Sequence, residues 1–250
     1  REAQSIQRRH QHQLSFYEGF VLVRTQQYAR GEAWLSALLH EPDLDNPLRV
    51  RVLNALGQAS WFQTHYDRAL ELYRQVYRLA LEIGDLLYQG FGLMNMSQVY
   101  NELGYYDQAL DLSKRCLEVF RELHDPAREA YALYTVGNNA MYLGRWHLAQ
   151  EYFEAAIQLH RSMGIDARLA DLYALQGFLF LLLVDEDQSE AYFLQSLAIP
   201  HSPEQGDAVI AVDTWLYLAL LYQVQDRWEA AREACDRAAE LAQDLQNRHA

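Results

Sequence analysis

Asn101-Glu102-Leu103-Gly104-Tyr105-Tyr106 and, forty residues on, Met141-Tyr142-Leu143-Gly144-Arg145-Trp146 follow one plan: the end of an apolar helical stretch, a glycine, then an aromatic. A glycine there can take the left-handed conformation that ends a helix, because it has no Cβ to clash. Each phrase therefore predicts the turn of a helical hairpin. Seven positions before each glycine stands a small residue, and the same frame recurs as Gly19, Gly57, Ser97, Gly137, Gly177 and Ala219, spaced by 38, 40, 40, 40 and 42 residues. Nine positions after the small residue comes an aromatic, as Tyr28, Tyr66, Tyr106, Trp146 and Trp228, with Glu186 the exception. Three further on stands a second small residue, at Gly31, Ala69, Ala109, Ala149, Ser189 and Ala231. Repetition at such a period is the mark of a stacked repeat architecture.

The units are joined by Ile83-Gly84-Asp85, Leu123-His124-Asp125-Pro126 and Met163-Gly164-Ile165-Asp166. In these phrases a turn stops one helix and an aspartate can cap the next. Pro42, Pro47, Pro126, Pro200 and Pro203 all fall in such segments, so no helix interior is broken. Each unit holds two stretches with apolar positions at helical spacing. The expected fold is all-α, an α–α superhelix or solenoid of about six helical hairpins over residues 12–246. The units run 12–45, 46–85, 86–125, 126–165, 166–205 and 206–246, with 1–11 the end of a preceding linker or helix. Small residues should let the two helices of a hairpin cross closely. The aromatic nine positions on is expected to wedge between hairpins, each ring contributing on the order of 1.5–3 kcal/mol.

The pattern of small, aromatic and small residues, with a further ring at Tyr73, Phe153 and Phe193, resembles the tetratricopeptide repeat. The sixth unit matches most fully, with Trp215, Ala219, Tyr222, Ala231 and Ala238. The resemblance covers nearly the whole chain. Its period exceeds the 34 residues usual for the family. The lengthened helices resemble the variant of bacterial MalT-like regulators and kinesin light chains. In the MalT-like group the array is the sensor of a signal-transduction ATPase with numerous domains, or STAND protein. The resemblance thus implies a sensor excised from a bacterial, cytoplasmic signalling protein.

Composition closes other routes. The 250 residues are 50% hydrophobic with 12 Gly and 5 Pro, a packed globular balance. A formal charge of −13 repels a phosphate backbone, so no nucleic-acid partner is expected. Lys114 is the only lysine and no polybasic cluster addresses anionic lipid. The longest apolar run, from Phe178 to Val184, is too short to span a bilayer. Cys116 and Cys235 form neither a disulfide framework nor a zinc motif; both are expected as buried packing residues in a reducing compartment. The chain lacks the GxxxxGK[ST], GxGxxG, GxSxG and HExxH motifs. His10 and His12 would point apart on a helix, and His124-Asp125 reads as a capped turn. No catalytic residue, metal or cofactor is expected, and the chain is taken to work by binding.

The family resemblance places contact positions on the concave face three before, one after and four after the first small residue. These are Asn54, Gln58 and Trp61; Met94, Gln98 and Asn101; Tyr134, Asn138 and Met141; then Phe178 and Leu181, with Ala174 beside them and Phe16, Phe20 and Val23 at the other end. Only Arg24 and Arg51 lie near this set, which disfavours a clamp for an acidic peptide end. Amides beside aromatic rings and methionine suit a neutral polar ligand with apolar faces: a peptide backbone, a sugar or a small metabolite. The alternative that these amides bond one another across adjacent helices stays open. The run from Phe178 to Val184 can be read as core, but one helix of a two-layer solenoid cannot bury all its faces, so Phe178, Leu181 and Leu182 are expected to leave an exposed apolar patch of the kind that marks a partner. The expected partners are a protein or small inducer in the groove and other domains of the parent chain. A constitutive protein-interaction scaffold without a small ligand is the other reading.

Overall fold

The computed structural model describes residues 2–165, 168–200 and 208–249; Asp166, expected as a cap, and Pro203 lie outside them. Twelve helices and no strand occur among the described residues. They pair in chain order as α1 (Glu2–Arg24) with α2 (Tyr28–Leu39), α3 (Asn46–Phe62) with α4 (Tyr66–Ile83), α5 (Leu86–Glu102) with α6 (Tyr106–Glu122), α7 (Pro126–Tyr142) with α8 (Trp146–Met163), α9 (Leu169–Leu182) with α10 (Glu186–Ala198), and α11 (Ala208–Val224) with α12 (Trp228–His249). Residues 2–11 belong to α1 itself. No described helix is long and apolar enough to cross a membrane.

All six hairpin turns are built alike. The residue seven after the small position is left-handed in every one: Gln26 (φ 62°), Thr64 (60°), Gly104 (78°), Gly144 (68°), Val184 (62°) and Asp226 (56°). At Gly104 the glycine N–H donates to Asn101 O (2.9 Å) and the next N–H, of Tyr105, to Tyr100 O (2.8 Å). The same pair of bonds closes the other five turns, which satisfies carbonyls that a helix end would leave bare. At the first helices, Asp45, Asp85 and Asp125 cap α3, α5 and α7 by accepting from Leu48 N (2.9 Å), Tyr88 N (3.1 Å) and Arg128 N (3.0 Å). The Arg128 N–H bond holds the Asp125 carboxyl below the usual carboxylate range, with the Arg128 guanidinium adding to it. Asp185 does the same for α10, accepting from Gln188 N (3.2 Å).

The small residues admit a large side chain of the second helix. A Cβ on Gly57 would collide with the Tyr73 ring, one on Gly137 with Phe153 Cδ1 (2.6 Å), and one on Gly177 with Phe193 Cδ1 (2.6 Å). Tyr73, Phe153 and Phe193 are buried, so these rings fill the interiors of the second, fourth and fifth hairpins. The aromatic expected between hairpins holds that place at Tyr28, which stacks on Phe62 of α3 (centroids 5.2 Å apart), but not at Trp146 and Trp228. Tyr28, Tyr66, Tyr106, Trp146 and Trp228 are the first residues of α2, α4, α6, α8 and α12, at the turn end of each hairpin. The tyrosines are half-buried, and Trp146 and Trp228 are exposed. The third hairpin departs again: Ser97 Oγ donates to Ala109 O (2.8 Å), and the ring moves two turns along, where Phe120 lies against Gly90.

The chain divides into two compact units, residues 1–132 and 133–250. In the first, Phe16, Val23, Leu35 and Leu38 pack with Val52, Ala55, Leu56 and Ala59 of α3, while Val50 and Leu53 meet Val76 with Leu79, Ile83 and Tyr88 around them. In the second, Phe193 gathers Leu218, Leu221, Ala231 and Ala234. Cys116 is buried as expected, its thiol pushed up to about 12 by desolvation. Cys235 is exposed, contrary to expectation, because α12 buries the stripe Ala231, Ala234 and Ala238 and turns position 235 outward.

Candidate functional site

In the first unit, Asn54, Gln58 and Trp61 lie on α3 and Met94, Gln98 and Asn101 on α5, all half-buried. Their spacing of three and four residues keeps each trio on one helix face. The amides are partly spoken for inside the protein. Asn95 Nδ2 donates to Asn54 Oδ1 (2.8 Å), joining α5 to α3, and Gln98 Nε2 donates to Tyr131 Oη (2.8 Å). Asn54 thus serves helix stacking, as the bland alternative has it, and Asn95 was the residue that sequence reasoning missed. Its small polar side chain two before Ser97 was the available signal. Gln58 donates to no protein acceptor among the described residues.

Trp61 packs edge-on against Phe62 (centroids 4.9 Å apart), whose ring stacks on Tyr28 (5.2 Å). Its indole N–H is shut off from solvent and meets no acceptor. At the near end of this row the Arg51 guanidinium lies over Phe16 (4.5 Å) and Tyr17 (5.4 Å) and donates to Tyr17 Oη (3.3 Å). Burial raises the Tyr88 phenol pKa against the opposing pull of Arg51. Arg51 is therefore engaged with rings. Phe16 and Val23 are core residues and do not belong to an open face.

In the second unit, Tyr134 lies against Phe153 (6.2 Å) with Arg168 over its ring (5.6 Å), and Asn138 and Met141 follow it on α7, half-buried. Phe178 packs on Tyr217 (5.0 Å), and Leu181 joins it against the Phe193 cluster. Ala174 is buried. The Phe178–Val184 run thus divides: Leu179 is core, Phe180–Leu183 are half-buried, and only Val184 stands free. Leu182 does not form the open patch considered above.

This unit also buries His160, whose Nδ1 has no partner. Desolvation, and secondarily the Arg168 charge, holds its imidazole below the ordinary histidine value. The unfolded chain then binds the proton more readily than the folded one. Stability from this group is complete above about pH 6.5 and is lost as pH falls through the lowered value. His160→Gln should flatten the stability profile below about pH 6.5, read by denaturant melts at fixed pH. A profile as steep as wild type would assign that loss to other groups.

No group of three His, Cys, Asp or Glu that could hold a metal stands among the described residues. Tetratricopeptide-repeat family models match residues 52–87 and 93–127. No curated protein matches the chain by sequence. Among solved structures, the chain is similar to BtubC (BKLC) from P. vanneervenii, with TM-score 0.73, 18% identity, and 88% of this chain and 90% of that one covered. It is similar to a STAND protein with a tetratricopeptide-repeat sensor from Pyrococcus horikoshii, with TM-score 0.77, 15% identity and 90% of this chain covered, which amounts to 35% of that protein. The apo form of the quorum sensor NprR from B. thuringiensis matches with TM-score 0.72, 16% identity and coverages of 93% and 65%. NprR in complex with its cognate peptide NprX matches with 0.65, 17%, 95% and 69%. At these identities the likeness shows the fold, an all-α superhelix of tetratricopeptide type.

Proposed function

We propose that this chain, an array of tetratricopeptide repeats, is a binding module that takes an extended peptide, or a ligand of peptide-like chemistry, on the first helices of its 1–132 unit. Gln58, Trp61, Met94, Gln98 and Asn101 form the contact row, with Tyr134, Asn138, Met141, Phe178 and Leu181 a second row on the other unit. The observation that carries this reading is Trp61: a buried N–H without an acceptor, beside an uncommitted amide at Gln58. Leaving such a donor unpaired costs about 1–3 kcal/mol, which a ligand carbonyl would recover once the half-buried ring turns its N–H toward the groove. Support in kind comes from the NprR neighbour, whose structure holds its cognate peptide.

Within this reading the array is the sensor of a larger cytoplasmic signalling protein of the STAND type, and catalysis lies outside it. The sequence holds no phosphate-cradling loop, so a nucleotide would be handled elsewhere and the signal passed by a population shift. Peptides selected from a displayed library on the folded chain provide the probe. Titrated by calorimetry, they should bind Trp61→Ala about 2 kcal/mol more weakly, roughly 30-fold, as expected for an aromatic anchor. Trp146→Ala, at an exposed turn, should leave affinity unchanged. Equal affinity for wild type and Trp61→Ala would move the site away from this row.

A further inference from the structure

Arg51 stands three residues before Asn54 and ten before Trp61, so it heads the row on α3 and shares one helix face with Asn54 and Gln58. The chain carries 34 acidic residues against 21 basic ones, and eight other arginines are each paired with a carboxylate. Among the described residues no carboxylate lies within ion-pair distance of Arg51.

Its partners are neutral. The guanidinium carbon lies over Phe16 (4.5 Å) and Tyr17 (5.4 Å), and Nη2 donates to Tyr17 Oη (3.3 Å). Tyr88 of α5 completes the group, with its ring packed on the cluster of Val50, Leu53 and Val76. Burial raises the pKa of that phenol, while the charge and a hydrogen bond of Arg51 oppose the rise. Three helices thus bring one cation and two phenols together.

Stacked on rings and half-buried, the guanidinium is already oriented, so it has little side-chain freedom left to lose when something binds. Two phenol oxygens do not fill its fork of N–H groups, and a phenol that accepts from Arg51 keeps its own O–H to donate. Asn54, one turn on, has its Oδ1 taken by Asn95 Nδ2 (2.8 Å), which leaves its own amide N–H groups as what it can still extend. The groups left over at this corner are donors, and its one charge is positive. Such a set is complementary to an anion with two oxygens.

We infer that Arg51, with Tyr17, Tyr88 and Asn54 around it, seats a carboxylate of the bound peptide. The inference rests on the reading that the ligand lies along these first helices, and it adds to that reading the ligand's charge and register. A clamp for an acidic peptide end needs several cations. Here one guanidinium is backed by phenols, so one carboxylate is taken, and a run of them would be repelled by the negative charge of the chain. Arg51 and Trp61 are about 15 Å apart along the helix. An extended ligand therefore carries its carboxylate about four or five residues from the one that meets Trp61.

Peptides selected on the folded chain from a library displayed with free C-termini supply the probes, each made as the free acid, as the C-terminal amide, and with any Asp or Glu changed to its amide. In calorimetry, removing the recognised carboxylate should weaken binding by at least about tenfold, as for one hydrogen-bonded charge. The two series separate a terminal carboxylate from a side-chain one. Arg51→Gln should bind the acid and its neutral form alike, Arg51→Lys should retain part of the preference because it keeps the charge and loses the fork, and Tyr88→Phe should narrow it. Trp61→Ala should weaken both forms by the same factor and leave their ratio as in wild type. Thermal melts matching wild type show that the variants fold; if Arg51→Gln melts early, Arg51→Lys decides. Equal binding of acid and neutral forms by wild type, or a preference that survives the change at Arg51 in full, would overturn the carboxylate seat and leave the Trp61 row standing. Indifference of both forms to Trp61→Ala, or a library that yields no binder, would remove the row and the seat together.

Discussion

Gly137→Leu should destabilise the protein by at least about 1–3 kcal/mol, the usual cost of forcing extra methylenes into a packed interior. A Cβ alone at Gly137 would already stand 2.6 Å from two atoms of the Phe153 ring, and that ring is wholly buried. A branched side chain has no rotamer that clears it, so either the ring leaves its well or α7 and α8 move apart. Thermal or denaturant melts read the loss directly. A control separates crowding from lost backbone freedom: Phe153→Leu should partly rescue Gly137→Ala, giving a coupling between the two sites of opposite sign to their separate costs. An unchanged midpoint in Gly137→Leu, or strict additivity in the cycle, would mean that the small position does not set the helix crossing.

Phe120→Ala should cost about 3–5 kcal/mol, the range for deleting a buried phenylalanine ring. Phe120 is fully enclosed, lies flush on Gly90, and meets Phe91 edge-on at 6.2 Å. Cys116 Sγ, one turn earlier, donates to Gly90 O at 3.4 Å, so this spot also holds α6 to α5. In the neighbouring hairpins the ring occupies the sixteenth position after the small residue; in this one that position is Ser113, whose hydroxyl donates to Leu110 O of its own helix (3.0 Å). Ser113→Ala should cost far less than the ring, about 0.5–1.5 kcal/mol, the net worth of a neutral hydrogen bond. Denaturant midpoints for the two variants decide the matter. Similar losses at both positions would show that the ring was not relocated in energetic terms.

The frame of the fold was legible because it is written in letters with strong local meaning: Gly104 and Gly144 at turns, Asp85 and Asp125 at helix starts, small residues at crossings. What escaped was set by neighbours. Trp146 and Trp228 carry the same letter class as a core ring, but their place at the first residue of a helix leaves them at the turn, in water. The exchange of Ser97 and Ser113 for Gly90 and Phe120 depends on two side chains trading volume across a hairpin, which no single position shows. Among the candidate contact residues, the helix face could be named from the repeat frame. Whether an amide is free could not, since Asn54 is satisfied by Asn95, forty-one residues away.

Thr64 and Val184 lie in the left-handed region, both β-branched, at turns that Gly104 and Gly144 occupy without strain. An L-residue there bears roughly 1–2 kcal/mol of conformational load. It is sustained because the flanking helices fix the ends of the turn: Thr64 N and His65 N donate to Trp61 O and Ser60 O, and Val184 N and Asp185 N to Leu181 O and Phe180 O. The side chain of Val184 stands almost entirely in water and packs on nothing that would justify it. Curvature at these corners is thus imposed from outside by the helices, and the corner letters are free to drift over generations. A lineage could lose every glycine from its hairpin corners, keep the same architecture, and become harder to recognise at the very points where its ancestry would first be sought.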